Sequence, residues 1–100
     1  MISFFPFAKY KVEGYSMWPA LVRNDLVLVY KWAKIKEDDI VLYSSPEKDY
    51  VKRVVKIEDG AYFLEGDNKK FSTDSRKFGP VKKKDIVGKV ILKYSHDYSN

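Results

Sequence analysis

The sequence predicts an all-β domain, a coiled and largely antiparallel sheet or partly closed barrel with little helix. Three observations carry this. β-branched and aromatic residues recur in runs of about four to eight between turn signals. Asp59-Gly60 sits between Val54-Val55-Lys56-Ile57 and Ala61-Tyr62-Phe63-Leu64, a strong hairpin signal. No stretch sustains a helical period.

Strands are predicted near 10–13, 25–31, 39–43, 49–57, 61–65 and 86–93. Between the first two lies Gly14-Tyr15-Ser16-Met17-Trp18-Pro19. Gly14 permits a backbone most residues avoid, and Pro19 fixes its own φ and disfavours helix at Trp18. Asn24-Asp25 and Ser44-Ser45-Pro46 are turn material. Lys31-Trp32-Ala33-Lys34-Ile35-Lys36-Glu37-Asp38-Asp39 reads as a connection whose parallel or antiparallel outcome the sequence leaves open. Lys82-Lys83-Lys84-Asp85 predicts one helical turn before the last strand.

One hundred residues suit a single domain over 1–100, with an apolar N-terminal arm at 1–9 and a flexible tail at 94–100. Cysteine is absent, which excludes disulfides and thiolate metal sites. The single histidine, His96, lies in the polar tail, so histidine-based triads and metal sites are discounted, and neither metal nor organic cofactor is expected. The net charge is +5, densest at Lys82-Lys83-Lys84, but no zinc-finger spacing, RNA-binding signature or recognition-helix pattern accompanies it, and no nucleic acid partner is expected. No segment reaches bilayer-spanning length. The start, Met1-Ile2-Ser3-Phe4-Phe5-Pro6-Phe7-Ala8, lacks the pattern of a secretory signal. It reads as an arm packed on the domain, or as a weak membrane contact through Phe4, Phe5 and Phe7.

A serine on a rigid turn needs a partner to take its proton. With histidine discounted, carboxylates and a neutral lysine remain. In Tyr50-Val51-Lys52-Arg53-Val54-Val55, strand alternation puts Tyr50, Lys52 and Val54 on one face and Val51, Arg53 and Val55 on the other. If the first face is inward, Lys52 is desolvated and its pKa falls toward the range of a general base. A lysine that snorkels to solvent has the same local pattern. Arg53 is expected to be structural or solvent-facing. The polar stretch 65–80 opens with Gly66-Asp67-Asn68, a tight turn. Ser72, Asp74, Ser75 and Arg76 lie close enough for one hydrogen-bonded cluster with an Asp74–Arg76 ion pair, and Phe71 and Phe78 are apolar anchors.

These segments together resemble the signal peptidase I family of serine peptidases, which use a Ser/Lys dyad. Gly14-Tyr15-Ser16-Met17-Trp18-Pro19 is similar to the nucleophile box. Asp39-Ile40-Val41-Leu42-Tyr43 is similar to a Gly-Asp-Ile-Val strand, with Asp38 in the glycine's place. Tyr50-Val51-Lys52-Arg53-Val54-Val55 is similar to the general-base box. Gly66-Asp67-Asn68 and Ser72-Thr73-Asp74-Ser75-Arg76, followed by Gly79, are similar to the last box. The resemblance spans roughly 10–92 and implies the sheet type shared by signal peptidases and self-cleaving SOS repressors.

It further implies Ser16 as nucleophile, Lys52 as base, Ser72 orienting the Lys52 amine, and Asp74 and Arg76 bracing that loop. The Ser16 N–H would serve the oxyanion, without a side-chain donor at Gly14. Tyr15, Met17 and Pro19 would shape the turn and the substrate region. The substrate would be a protein bound as an extended peptide. Gly60 lies eight positions after Lys52 and Gly66 six further on, which leaves no room for the accessory β-insert of some bacterial enzymes. Residues 72–79 look most like the small peptidases that remove the leader of nickel superoxide dismutase, so the favoured role is a cytoplasmic maturation peptidase. The alternatives are the catalytic domain of a membrane signal peptidase, membrane-associated, and a non-catalytic basic β-domain that binds nucleic acid or peptide.

Overall fold

The computed structural model describes residues 5–94. Seven strands form one sheet: β1 (Phe7–Lys11), β2 (Leu26–Tyr30), β3 (Ile40–Ser44), β4 (Asp49–Glu58), β5 (Ala61–Glu65), β6 (Val81–Lys82) and β7 (Ile86–Tyr94). Their order is β1-β2-β7-β3-β4-β5-β6, with every neighbouring pair antiparallel. The sheet is all-β in character as predicted, and it stays open, with β1 and β6 as its edges. Among the described residues, helix is limited to one turn, α1 (Ser75–Phe78), and to 3-10 turns at Lys69–Phe71 and Lys83–Asp85.

The expected hairpin closes with two residues: Glu58 pairs with Ala61, and Asp59 and Gly60 both have positive φ, as a type I′ turn requires. The 31–39 connection does not bring β2 beside β3. β7 returns between them and pairs with both, so β2 and β3 run parallel to each other without pairing. Asp38 holds a φ of 75°, in the left-handed region. That explains why glycine suits this place in the similar strand and why an aspartate, which tolerates αL, can stand in for it.

Two core clusters lie on opposite faces of the central strands. Val12, Met17, Leu21, Val27, Val29, Leu42 and Val51 form one; Ile35, Val41, Val54, Tyr62, Leu64 and Val81 form the other. Consecutive residues Val41 and Leu42 serve different clusters because strand side chains alternate. β3 and β4 are therefore covered on both sides around Val51–Val54, and Lys52 within that stretch has little route to water, unlike the exposed Lys56 farther along.

Several boundaries differ from expectation. The first strand is 7–11 rather than 10–13, so residues 7–9 of the predicted arm are edge strand, paired from Phe7 opposite Tyr30. Phe5 is exposed, whereas Phe4 lies outside the described residues. β7 runs through Tyr94, which removes that residue from the predicted tail; His96 and the rest of the tail lie outside the described residues. β6 was not anticipated, because two residues are too short to show a period. In β4 the register shifts between Val54 and Lys56, which turns Val55 outward.

Candidate active site

The serine turn leaves β1 through Val12 and is pinned from below. Met17, 1% exposed, and Leu21 plunge into the first cluster, while Tyr15 and Trp18 stand exposed on either side. Tyr15 C=O accepts from Trp18 N–H at 3.2 Å, and Met17 C=O from Leu21 N–H at 3.0 Å. Gly14 has a φ of +73° with open space where a Cβ would point, so its backbone angle and not crowding calls for glycine. Ser16 is half-buried and lines a cavity of about 140 Å³.

Lys52 lines the same cavity. It pairs with Val41 across the ladder and is 2% exposed. Its ammonium donates to Ser72 Oγ at 2.8 Å and lies 5.5 Å from the Tyr50 ring centroid. Burial pulls its pKa from 10.5 down to about 8; Asp74 opposes this, and Lys48 and Arg76 add to it. Lys52 and Val54 on the predicted face are thus buried, and so is Val51 on the opposite one.

The 66–79 loop is a chain of polar contacts behind Lys52. Ser72 Oγ donates to Asp74 Oδ2 at 2.5 Å and accepts from Gly66 N–H at 3.1 Å. Asp74, 1% exposed, also accepts from Gly66 N–H at 2.9 Å and from Arg76 Nε and Nη2 at 2.9 and 3.1 Å. Burial alone would raise the Asp74 carboxyl, but the bonds from Arg76, Ser72 and the Gly66 and Arg76 amides outweigh it and hold it well below the usual carboxylate range. Ser75 Oγ accepts from Leu64 N–H at 2.8 Å and fastens the loop to β5. Gly66 admits no side chain: a Cβ there would fall 2.6 Å from Ser16 O and collide with Ser72 Oγ.

Ser16 and Lys52 therefore share one cavity, and Ser72, Asp74 and Arg76 form a hydrogen-bonded series ending on Lys52. Gly14, Tyr15 and Met17 also line that cavity, together with Tyr10, Tyr50 and Thr73, while Pro19 lies exposed outside the lining.

Sequence reasoning missed three sets of partners. Arg53 takes the structural of its two expected roles: its Nε and Nη2 hold Asp67 at 2.9 and 2.8 Å, and Nη1 donates to Asp38 C=O at 2.8 Å. Asn68, read as a turn former, reaches the serine turn. Tyr43 and Tyr50 stack at 5.9 Å, and Phe78 stacks on Tyr43 at 5.9 Å, joining α1 to the base strand. Tyr43 and Tyr50 face each other across the β3–β4 pairing, whereas the other partners are fourteen or more residues apart, so no local pattern announces them.

The family model described as signal peptidase, peptidase S26 matches residues 1–57 and 55–95. The chain belongs to this family. S26 members are serine peptidases, and the resemblance drawn from the four boxes extends over nearly the whole chain. Mitochondrial inner membrane protease subunit 2 of Schizosaccharomyces pombe is 36% identical over 108 residues, which cover 80% of this chain and 60% of that protein. Signal peptidase I V of Bacillus subtilis is 29% identical over 138 residues, covering 82% of each chain. Mitochondrial inner membrane protease subunit 2 of Danio rerio is 33% identical over 100 residues, 71% of this chain and 55% of that protein. The S26 chain thus spans little more than half the length of the two mitochondrial relatives. Among the described residues, no helix is long and apolar enough to cross a membrane.

Proposed function

We propose that this S26 chain is a serine endopeptidase that removes an N-terminal leader or propeptide, with Ser16 as nucleophile and Lys52 as general base. The observation that carries it is a lysine 2% exposed, hydrogen-bonded to Ser72 Oγ and facing the cavity that Ser16 lines. A neutral amine can accept a proton; an ammonium cannot. With a pKa near 8, about one Lys52 in ten is neutral at pH 7, roughly 300 times the fraction at 10.5.

Neutral Lys52 takes the Ser16 hydroxyl proton as Oγ attacks the scissile carbonyl. The carbonyl oxygen gains the charge, and the Ser16 N–H donates to it. The tetrahedral intermediate then collapses; Lys52 passes its proton to the leaving amine, and an acyl-Ser16 ester remains. Lys52 next deprotonates a water that attacks the ester, and Ser16 recovers its proton. Ser72 keeps the amine directed by accepting one of its hydrogens, and the Asp74–Arg76 pair holds Ser72. Substrate would enter extended between the Val12-Glu13-Gly14 wall and the Lys48-Asp49-Tyr50-Val51 wall of the cavity, adding a strand.

Two substrate classes suit this chemistry. The names of the relatives, signal peptidase I and mitochondrial inner membrane protease, favour an exported or membrane-sorted precursor and a membrane-associated enzyme. The likeness of residues 72–79 to the nickel superoxide dismutase maturation peptidases favours that precursor and a cytoplasmic enzyme. The test is incubation of wild type, Ser16→Ala and Lys52→Ala with a panel holding both precursor types. Cleavage by wild type alone supports the dyad, and the precursor cut identifies the class. Equal cleavage by all three proteins overturns the proposal.

A further inference from the structure

Asn68 spends two donors on consecutive carbonyls of the serine turn. Its side-chain amide donates to Tyr15 C=O at 3.0 Å, and its backbone N–H donates to Ser16 C=O at 2.8 Å. The first bond matters because of peptide geometry. Tyr15 C=O and Ser16 N–H belong to one planar trans unit, in which the carbonyl and the N–H point in opposite directions. Gripping the carbonyl on one side therefore sets where the N–H points on the other.

We propose that Asn68 is a positioning residue for the oxyanion hole, aiming the Ser16 amide at the substrate's carbonyl oxygen. This rests on Ser16 being the nucleophile. Asn68 suits the task chemically. Its NH₂ is a donor, as a carbonyl requires, whereas an ionised aspartate of the same shape offers only acceptors. A donor on the carbonyl also polarises the amide and strengthens its N–H. The backbone bond to Ser16 C=O fixes the next peptide unit, so Asn68 grips both units that flank the nucleophile, sharing the first with Trp18 N–H.

Asn68 itself stands on a rigid base. Asp67, its neighbour, is held in a two-point ion pair by Arg53 of β4, and Asn68 C=O accepts from Phe71 N–H at 3.0 Å in the adjoining 3-10 turn. Gly66 lies close enough to Ser16 C=O to exclude any side chain. The position of the oxyanion donor is thereby tied to β4, the strand that carries Lys52. Gly14 supplies no hydroxyl to share the oxyanion, so the aim of the backbone amide counts for more in this chain.

The test compares Asn68→Ala and the isosteric Asn68→Asp with wild type on an internally quenched peptide with alanine at the first and third positions before the cut. The expected result is a fall in kcat of about ten- to a hundred-fold with KM nearly unchanged. The apparent pKa of the kcat/KM profile should stay at the wild-type value, because the Lys52–Ser72 bond is untouched. A peptide aldehyde, which adds to the serine as a tetrahedral adduct, should lose affinity by the same factor as kcat, while an uncleavable reduced-bond peptide should bind as before. Thermal melts establish that each variant is folded, and Asn68→Asp serves if Asn68→Ala is not. A kcat within about threefold of wild type would overturn the proposal, with that threshold set against the mispositioning losses expected at such sites. So would a kcat loss accompanied by a shifted pKa, which would show that Asn68 merely keeps the Ser72 loop in place. Wild-type cleavage by Ser16→Ala would remove the peptidase proposal and this one with it; normal turnover by the Asn68 variants beside an inactive Ser16→Ala removes this one alone.

Discussion

Replacing Lys52 with methionine is expected to stabilise the domain at neutral pH while abolishing cleavage. Lys52 is 2% exposed, and burial lowers its pKa from 10.5 to about 8. A pH unit of difference between folded and unfolded chains is worth about 1.4 kcal/mol. The buried charge therefore costs the folded state about 3 kcal/mol wherever lysine is protonated in both states, which is below the folded pKa. Between about 8 and 10.5 the unfolded chain holds a proton that the folded one has released, so stability rises with pH through that window and the penalty is gone above it. Methionine has similar length and no charge. Its introduction strands no partner, because Ser72 Oγ keeps its bonds to Asp74 and to Gly66 N–H. Allowing for the lost Lys52–Ser72 bond, the expected gain at neutral pH is about 1–3 kcal/mol. For a domain of this size that raises Tm by roughly 5–15 °C. The assay is urea denaturation of wild type and Lys52→Met at neutral pH and again near pH 10, with the difference between the two proteins isolating the one side chain. The gap should narrow as pH rises. A variant less stable than wild type at neutral pH, or a gap of the same size at both pH values, would refute the reasoning.

Three further outcomes are expected. The pH profile of kcat/KM should climb about tenfold per unit below about 8 and level off above it, since the base works only when neutral; a profile flat from pH 6 upward would remove Lys52 from that role. Gly66→Ala should cost about 1–3 kcal/mol in urea titration and slow turnover, because the added methyl collides with Ser72 Oγ and Ser16 C=O; wild-type stability would show that the loop can draw back. Asp67→Ala should cost about 1–3 kcal/mol by leaving the half-buried Arg53 with Asp38 C=O alone, and double-mutant comparison with Arg53→Ala should recover part of that loss; full additivity would deny the coupling.

The class of the fold was legible because strand periodicity and turn chemistry are local. Asp59-Gly60 declares a type I′ hairpin within four residues, and alternation along 50–54 put Lys52 on one face with Val54, which is buried. Topology was not legible in the same way. β7 pairs with β2 and β3 across more than forty residues of chain, and nothing in 31–39 indicates that a later strand will enter between its two ends. β6 escaped notice because a two-residue strand has no period, and the outward turn of Val55 because a bulge arises from the pairing of two strands.

The site divides along the same line. From the sequence alone came the residue types: a serine in a Gly-x-Ser-Met-x-Pro turn, no histidine in the predicted strands and turns, a lysine between Tyr50 and Val54, and a Ser-x-Asp-Ser-Arg loop. Only the tertiary structure decided which of them meet. It buried Lys52 by covering both faces of β4 around it, placed Ser72 Oγ 2.8 Å from the amine, joined Arg53 to Asp67, and brought Asn68 onto the serine turn. The physical reason is range. Backbone preferences and side-chain alternation act within a few residues, whereas desolvation and the direction of a hydrogen bond depend on groups that reach one another only after the sheet has formed.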